Sequence, residues 1–127
     1  MTFASVRIIT DDIKRLVAFY EGVMGLNAEW LTDDFAEMET EGGTLAIAST
    51  KTLVFFGENI AAPGQNRSAI IEFRVDNVDE DFERVRAVTA AIVQPPTTMP
   101  WGNRSLLFRD PDGNLVNFYT PVGGRNA

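Results

Sequence analysis

Two stretches of the chain repeat the same pattern 65 residues apart, and this internal repeat limits the folds open to it. Residues 6–13 (VRIITDDI) and residues 71–78 (IEFRVDNV) are both alternating apolar runs that end in acidic or amide residues. A second match, at an offset of 70, pairs residues 41–50 (EGGTLAIAST) with residues 111–120 (PDGNLVNFYT). Because the two matches occur in the same order, they indicate that one structural unit is present twice.

A helix follows the first strand of each copy. In residues 13–24 and again in residues 78–89, apolar side chains recur every three or four positions, which is the period of an amphipathic helix. Asp12 and Asn77 stand directly before these segments, and their side-chain oxygens are suited to cap the free backbone amides of a helix. The two helices are therefore predicted to begin at equivalent places in the repeat.

Three strands follow the helix in each copy, so the predicted order of elements is βαβββ, twice. Gly43 and Gly113 are placed in tight turns before the last strand, and we interpret DPDGN as such a turn rather than a calcium loop. A stretch rich in Gly, Asn and Pro predicts a linker. The expected architecture is a single α+β domain with module one at about residues 3–56, the linker at about 57–67 and module two at about 68–122. The middle strands are predicted at residues 27–32, 35–40, 92–97 and 105–109.

The composition excludes several classes of chemistry. The 127 residues include no cysteine, which excludes disulfides, thiolate nucleophiles and cysteine-ligated metals. They include no histidine, which removes the commonest metal ligand and the usual general base near neutral pH. A formal charge of −7 repels phosphates and anionic lipid, so neither nucleic acid nor a membrane is an expected partner. With no apolar bilayer-spanning stretch and no secretory leader, a cytoplasmic location is predicted.

Three segments in order, DDIKRLVAFYEGVMGL, VDNVDEDFERVR and PWGNRSLLFRDPDGNLVNFY, resemble the vicinal oxygen chelate superfamily. Glyoxalases, extradiol dioxygenases and bleomycin-resistance-like proteins belong to it, and the resemblance runs from about residue 4 to residue 122. It implies two βαβββ modules that form curled mixed sheets around a cavity, and it implies association as a homodimer. The fold alone does not imply a function, because one fold hosts many functions.

The resemblance also implies where metal ligands would lie, on the first and last strands of each module. Matched motif to motif, the four positions fall on Ser5, Ile47, Ile70 and Asn117, of which the DPDGN pattern fixes the last. Divalent first-row metals need deprotonated donors in adequate number, and this set has no charge and no imidazole. Glu72, on the same strand face as Ile70, is the one nearby carboxylate. We therefore predict no metal site and no cofactor.

Charged and polar residues at neighbouring positions are candidates for ligand contacts. Arg7 and Glu72 occupy equivalent places in the two copies, since they are 65 residues apart on the same faces as the positions just named. They are interpreted either as an ion pair that fixes the orientation of the modules or as a charged clamp for a polar ligand. Tyr119 shares a face with Asn117 and adds a hydroxyl.

Two tryptophans complete the candidate set. The resemblance to the bleomycin-resistance-like branch implies that Trp30 and Trp101 stack against flat ligands, which aromatic rings favour. The alternative is that they fill a core or a dimer interface. No catalytic residue is singled out. The candidate ligand-binding residues are Ser5, Arg7, Trp30, Glu72, Trp101, Asn117 and Tyr119.

Three functions remain open at this point. The first is a metal-independent binding protein that sequesters an aromatic or cationic, antibiotic-like small molecule, since net negative charge favours cations. The second is a glyoxalase-type lyase or a dioxygenase with an atypical site, against which the lack of histidine argues. The third is an interaction module whose cavity is vestigial. We expect the first.

Overall fold

A computed structural model describes residues 1–122 of the chain. The chain forms two compact units that divide between Asn66 and Arg67. We call them unit one and unit two and describe each by itself.

Unit one holds a four-stranded mixed sheet, one α-helix and one short 3-10 helix. Its elements are β1 Ser5–Thr10, α1 Ile13–Met24, β2 Glu29–Thr32, β3 Phe35–Glu39, β4 Thr44–Ser49 and the 3-10 helix Thr50–Phe55. The strand order is β1-β4-β3-β2, with β1 parallel to β4 and the other neighbours antiparallel. Leu45 and Ile47 of β4 share a buried apolar face with Ala36 and Met38 of β3. This face and the buried side of α1 form the core of the unit.

Unit two repeats the arrangement. Its elements are β5 Ile70–Arg74, α2 Val78–Val88, β6 Ile92–Thr98, β7 Asn103–Arg109 and β8 Leu115–Pro121. The strand order is β5-β8-β7-β6, with β5 parallel to β8 and the other neighbours antiparallel. The ring of Phe118 makes edge contacts with Phe73 and Phe108, at centroid distances of 5.4 and 5.1 Å, and these rings lie on the core face of the sheet. The α+β class and the doubled βαβββ order are thereby confirmed.

Both helices begin where the sequence predicts. The Asp12 side chain accepts a hydrogen bond from the backbone amide of Arg15 over 3.2 Å, and the Asn77 side chain accepts one from Glu80 over 3.3 Å. Each bond satisfies one of the backbone amides that a helix leaves free at its first turn. In residues 1–122 neither helix has the length and apolar character needed to cross a bilayer.

The turns before the two last strands differ in length, which the sequence match at offset 70 did not show. In unit one the turn closes from the Thr40 amide to the Gly43 carbonyl, at 3.0 Å. In unit two it closes from the Asp110 amide to the Asn114 carbonyl, also at 3.0 Å, and therefore contains one more residue. Gly43 thus corresponds to Asn114 and not to Gly113, and the offset becomes 71 along the last strand.

This extra residue corrects one predicted position. Residues directly opposite in a ladder share a face, and a one-residue slip exchanges the faces. Glu72 pairs with Asn117 in unit two, and the equivalent pair in unit one is Arg7 with Ala46. The prediction that Ile47 occupies one of the four metal-ligand positions is wrong, because Ile47 pairs with Ile8 and lies on the core face.

Candidate functional site

Opposite its core face, the sheet of unit two carries a row of polar side chains. Glu72 and Asn117 are directly opposite on β5 and β8, and Tyr119 follows on the same face with Ser105 of β7 as its ladder partner. We call the face defined by Glu72, Ser105, Asn117 and Tyr119 the polar face of unit two. Alternation along β8 places Phe118 on the other side, as the sequence predicts.

Asn117 and Glu72 are joined by a hydrogen bond that fixes the orientation of the amide. Nδ2 of Asn117 donates to Oε2 of Glu72 over 2.9 Å. The reversed amide would place its oxygen against a carboxylate oxygen, so the observed orientation is the favourable one. Oδ1 of Asn117 consequently points away from Glu72, and in the described part of the chain it is buried and accepts no hydrogen bond.

This pair offers more acceptors than the protein itself uses. Asn117 is 8% exposed, whereas Glu72 is exposed. A buried acceptor that lacks a donor is unfavourable by about 1–3 kcal/mol. Oδ1 of Asn117 and Oε1 of Glu72 are thus suited to a ligand that donates hydrogen bonds, such as an ammonium, an amide or a hydroxyl group.

The face of unit one that carries Arg7 has a different chemistry. The Arg7 guanidinium carbon lies over the ring of Phe35, 4.8 Å from its centroid, and over the ring of Phe56, 5.7 Å from its centroid, so the cation contacts two aromatic rings. Ser5 lies two residues away on the same face, opposite Thr44. We call the face defined by Ser5, Arg7, Phe35 and Thr44 the polar face of unit one. The alternating pattern of β1 predicted the facing of Ser5 and Arg7, but no local pattern pointed to Phe35 or Phe56.

The two predicted tryptophans lie at other places in their units. Trp30 pairs with Ala36, and Ala36 pairs with Ile47, so Trp30 is on the core face at the edge strand β2 and not with Arg7. A register shift follows Trp30 in this strand. Trp101 lies in the turn between β6 and β7 and is 61% exposed, while Trp30 is 42% exposed. Both indoles are accessible, and their role in ligand binding stays a prediction.

The donor set does not fit a divalent transition metal. The β5 neighbour of Asn117 is Glu72, whereas Ile70 pairs with Leu115 and is 50% exposed. The two side chains offer one carboxylate and one amide oxygen, and within residues 1–122 no three acidic side chains are grouped so as to hold a metal ion. At the equivalent place unit one has a cation, Arg7, which would repel a metal.

A known family matches nearly the whole chain. The model of the glyoxalase/bleomycin resistance protein/dioxygenase superfamily matches residues 2–118. The protein YraH of Bacillus subtilis (strain 168), described as uncharacterized, is 26% identical over 125 residues, which are 94% of this chain and 98% of YraH.

Solved structures have the same fold. TioX from Micromonospora sp. ML1 is 28% identical with a TM-score of 0.72, covering 96% of this chain and 100% of TioX. A structure described as a glyoxalase/bleomycin resistance protein/dioxygenase family enzyme from Burkholderia phytofirmans PsJN is 18% identical with a TM-score of 0.83, covering 96% of this chain and 100% of that chain. At this identity the second likeness concerns the fold alone.

Proposed function

The chain belongs to the glyoxalase/bleomycin resistance protein/dioxygenase superfamily, and within it we propose that it is a metal-independent protein that binds and sequesters a small molecule. The observation that carries the proposal is the Glu72–Asn117 pair, in which a buried amide oxygen has no donor and an exposed carboxylate lies beside it. Such a pair recognises a donor group on a ligand, and it is too poor in charged donors to hold a catalytic metal.

The proposed ligand is an aromatic or cationic small molecule of the antibiotic-like kind. A donor group of the ligand binds Oδ1 of Asn117 and Oε1 of Glu72, and a cationic donor gains the additional attraction of the carboxylate. Aromatic surface of the ligand packs against Tyr119, where a well-placed ring pair adds about 0.5–1.5 kcal/mol. The accessible indoles of Trp101 in unit two and of Trp30 in unit one are proposed as further places where a flat ring can stack. Sequestration needs no further chemistry from the chain.

The proposal also includes the state in which the protein works. We expect a cytoplasmic homodimer that takes neither nucleic acid nor membrane as a partner, in keeping with the formal charge of −7. Sedimentation equilibrium of the purified chain measures the stoichiometry, and a monomer at micromolar concentration would contradict this part.

A titration of chelator-treated protein tests the proposal. Isothermal calorimetry with Mn²⁺, Fe²⁺, Ni²⁺ and Zn²⁺ is expected to show no tight binding, while a panel of planar amines quenches tryptophan fluorescence with saturable affinity. Glu72→Gln should lower the affinity for the amines by about fivefold to tenfold, because it removes one charge-assisted hydrogen bond. Glu41→Gln, which makes the same charge change on an exposed turn, serves as the matched control.

A second candidate is a lyase or dioxygenase with an atypical site. It is favoured by the description of the Burkholderia phytofirmans neighbour as a family enzyme. In such chemistry a metal polarises the substrate oxygen, and the chain would have to supply ligands other than Glu72 and Asn117. Tight binding of one metal ion per chain in the same calorimetry would favour this candidate and overturn the first.

A further inference from the structure

Arg7 is an exposed cation whose position is set by aromatic contacts rather than by a carboxylate. Its guanidinium carbon lies over the half-buried ring of Phe35, at 4.8 Å from the centroid, and over the exposed ring of Phe56, at 5.7 Å. Stacking on ring faces holds the plane of a guanidinium but uses none of its N–H groups. The contacts therefore orient the cation and leave its hydrogen-bonding edge available.

The surroundings of this edge within unit one, all of which is described, supply no acceptor to it. No carboxylate or carbonyl oxygen of residues 1–66 accepts a hydrogen bond from the guanidinium, and none forms an ion pair with it. Ala46, directly opposite Arg7 in the ladder, is 0% exposed and too short to cover the cation. The next ladder pair on the same face, Ser5 with Thr44, brings two hydroxyl groups that also make no side-chain hydrogen bond in this unit.

We propose that Arg7, with the hydroxyls of Ser5 and Thr44, is a recognition site for a carboxylate carried by an aromatic ligand. This inference goes beyond the proposed function and concerns a ligand group that unit one binds by itself. A guanidinium presents two parallel N–H groups that match the two oxygens of a carboxylate. The exposed ring of Phe56 beside the cation offers a flat surface to the aromatic part of the same ligand.

The charge of the protein favours an anion with a single negative charge over a dianion. The chain carries a formal charge of −7, and Glu37 lies on the same face as Arg7, on the other side of Ala46. These charges oppose a dianion such as phosphate more strongly than a monoanion. Removing the charge of the half-buried Glu37 in Glu37→Gln should therefore strengthen the binding of a monocarboxylate by about twofold to threefold.

Benzoate and benzamide are the probes, because they differ in charge and are similar in shape. In the full chain, the side-chain Nε–H signal of Arg7, assigned by its loss in Arg7→Met, is expected to shift saturably with benzoate and not with benzamide. Arg7→Lys keeps the charge and removes the fork, so it should lose about fivefold or more in benzoate affinity. Lys14→Met makes the same charge change as Arg7→Met on the exposed side of α1, and it should leave benzoate binding within about twofold.

Three results would overturn the inference, and each can be told apart from failure of the proposed function. If the Arg7 signal does not move with benzoate, or if benzamide moves it equally, the site does not recognise carboxylates. If planar amines bind chelator-treated protein and depend on Glu72 while benzoate binds Arg7→Met unchanged, the proposed function stands and this inference fails. If the amines do not bind but benzoate still shifts Arg7 and loses affinity in Arg7→Lys, the carboxylate site stands and the proposed ligand is wrong.

Discussion

At the scale of single residues, Asn117 is a buried side chain whose amide oxygen accepts no hydrogen bond in the described chain. Its amide is 8% exposed, donates once to Glu72 and has an oxygen without a donor in the described chain. In a residue kept only for stability this oxygen is a disadvantage, because an apolar side chain of similar volume would avoid the desolvation of an unpaired acceptor. The presence of the amide is therefore better explained by a ligand than by the fold.

Asn117→Leu is expected to leave the free energy of unfolding unchanged within about 1 kcal/mol or to raise it, because it removes the unpaired oxygen and Glu72 can turn to water. The same variant should lose most of the affinity for planar amines. Urea unfolding and fluorescence titration measure the two effects. A loss of stability well above 1 kcal/mol with unchanged ligand affinity would show that the amide is structural.

Asn117→Asp tests the electrostatics of the same pair. It places a second carboxylate beside Glu72, so one of the two carboxyl groups takes a pKa above its ordinary range. A carboxyl group whose pKa is raised in the folded state lowers the free energy of unfolding at pH values where the group is ionised. This loss disappears at low pH, where the group is protonated in both the folded and the unfolded state. We expect a loss of about 1–2 kcal/mol at pH 7 that shrinks towards pH 4. A deficit that is independent of pH in urea unfolding would contradict the like-charge explanation.

The glycines of the two turns give another residue-scale prediction. Gly113 has a φ of 86°, in the left-handed region, and an added Cβ at Gly113 or at Gly43 would meet nothing within 4 Å. Gly113→Ala should therefore lower the free energy of unfolding by about 1–2 kcal/mol through backbone strain alone. Gly43→Ala, whose φ is not in that region, is the matched control and should be neutral or slightly stabilising. Equal effects in thermal unfolding would show that the two turns are alike after all.

At the scale of elements, the same turns mark the limit of prediction from sequence. The helix starts, the order of helices and strands along the chain and the Gly113 turn follow from local patterns, since caps, periods and left-handed residues act over a few positions. The prediction that Ile47 faces the metal positions was wrong, because one extra residue in the second turn exchanges the faces of the last strand. The apolar strand β4 is buried on both faces, so its sequence has no alternation that would reveal the exchange. Phe35 and Phe56 meet Arg7 through tertiary structure, which no local pattern records.

The first turn of α2 is joined to β7 by a two-pronged ion pair. Arg104 donates from Nε to Oδ2 of Asp79 over 2.9 Å and from Nη2 to Oδ1 over 3.0 Å. These hydrogen bonds hold the pKa of Asp79 below its ordinary 3.8 and raise the pKa of Arg104. A carboxyl group with a depressed folded pKa contributes stability that is present above the unfolded pKa and is lost as pH falls through the folded pKa.

Arg104→Met should accordingly raise the pKa of Asp79 towards 3.8 and lower the melting temperature at pH 6 by a small amount. The difference in melting temperature from the native chain should narrow below pH 4, as Asp79 becomes protonated in both proteins. Carboxyl carbon NMR follows the pKa, and calorimetry follows the melting temperature. Arg86→Met, which breaks an exposed pair with Glu83 inside α2, is the control. A constant difference across pH would mean that Arg104 acts by packing.

At the scale of the whole molecule, the excess of negative charge and the local groups act on ligands over different distances. The formal charge is −7, and a unit charge about 15 Å away contributes about 0.3 kcal/mol in water without salt. Several such contributions add for a cation, whereas at 0.15 M salt the screening length of about 8 Å removes most of them. Contacts with Glu72 and Asn117 are shorter than this length and are screened much less.

Raising the ionic strength from about 10 to 150 mM should therefore lower the affinity for a planar monocation by several-fold, up to about tenfold. The affinity for a neutral planar analogue should stay nearly unchanged. Glu72→Gln should lower the cation affinity at both ionic strengths while keeping a similar salt dependence, because the long-range field is nearly unaltered. Fluorescence titrations at the two salt concentrations measure both effects. If the salt dependence disappears in Glu72→Gln, the attraction comes from that carboxylate alone, and the charge of the whole chain has no part in choosing the ligand.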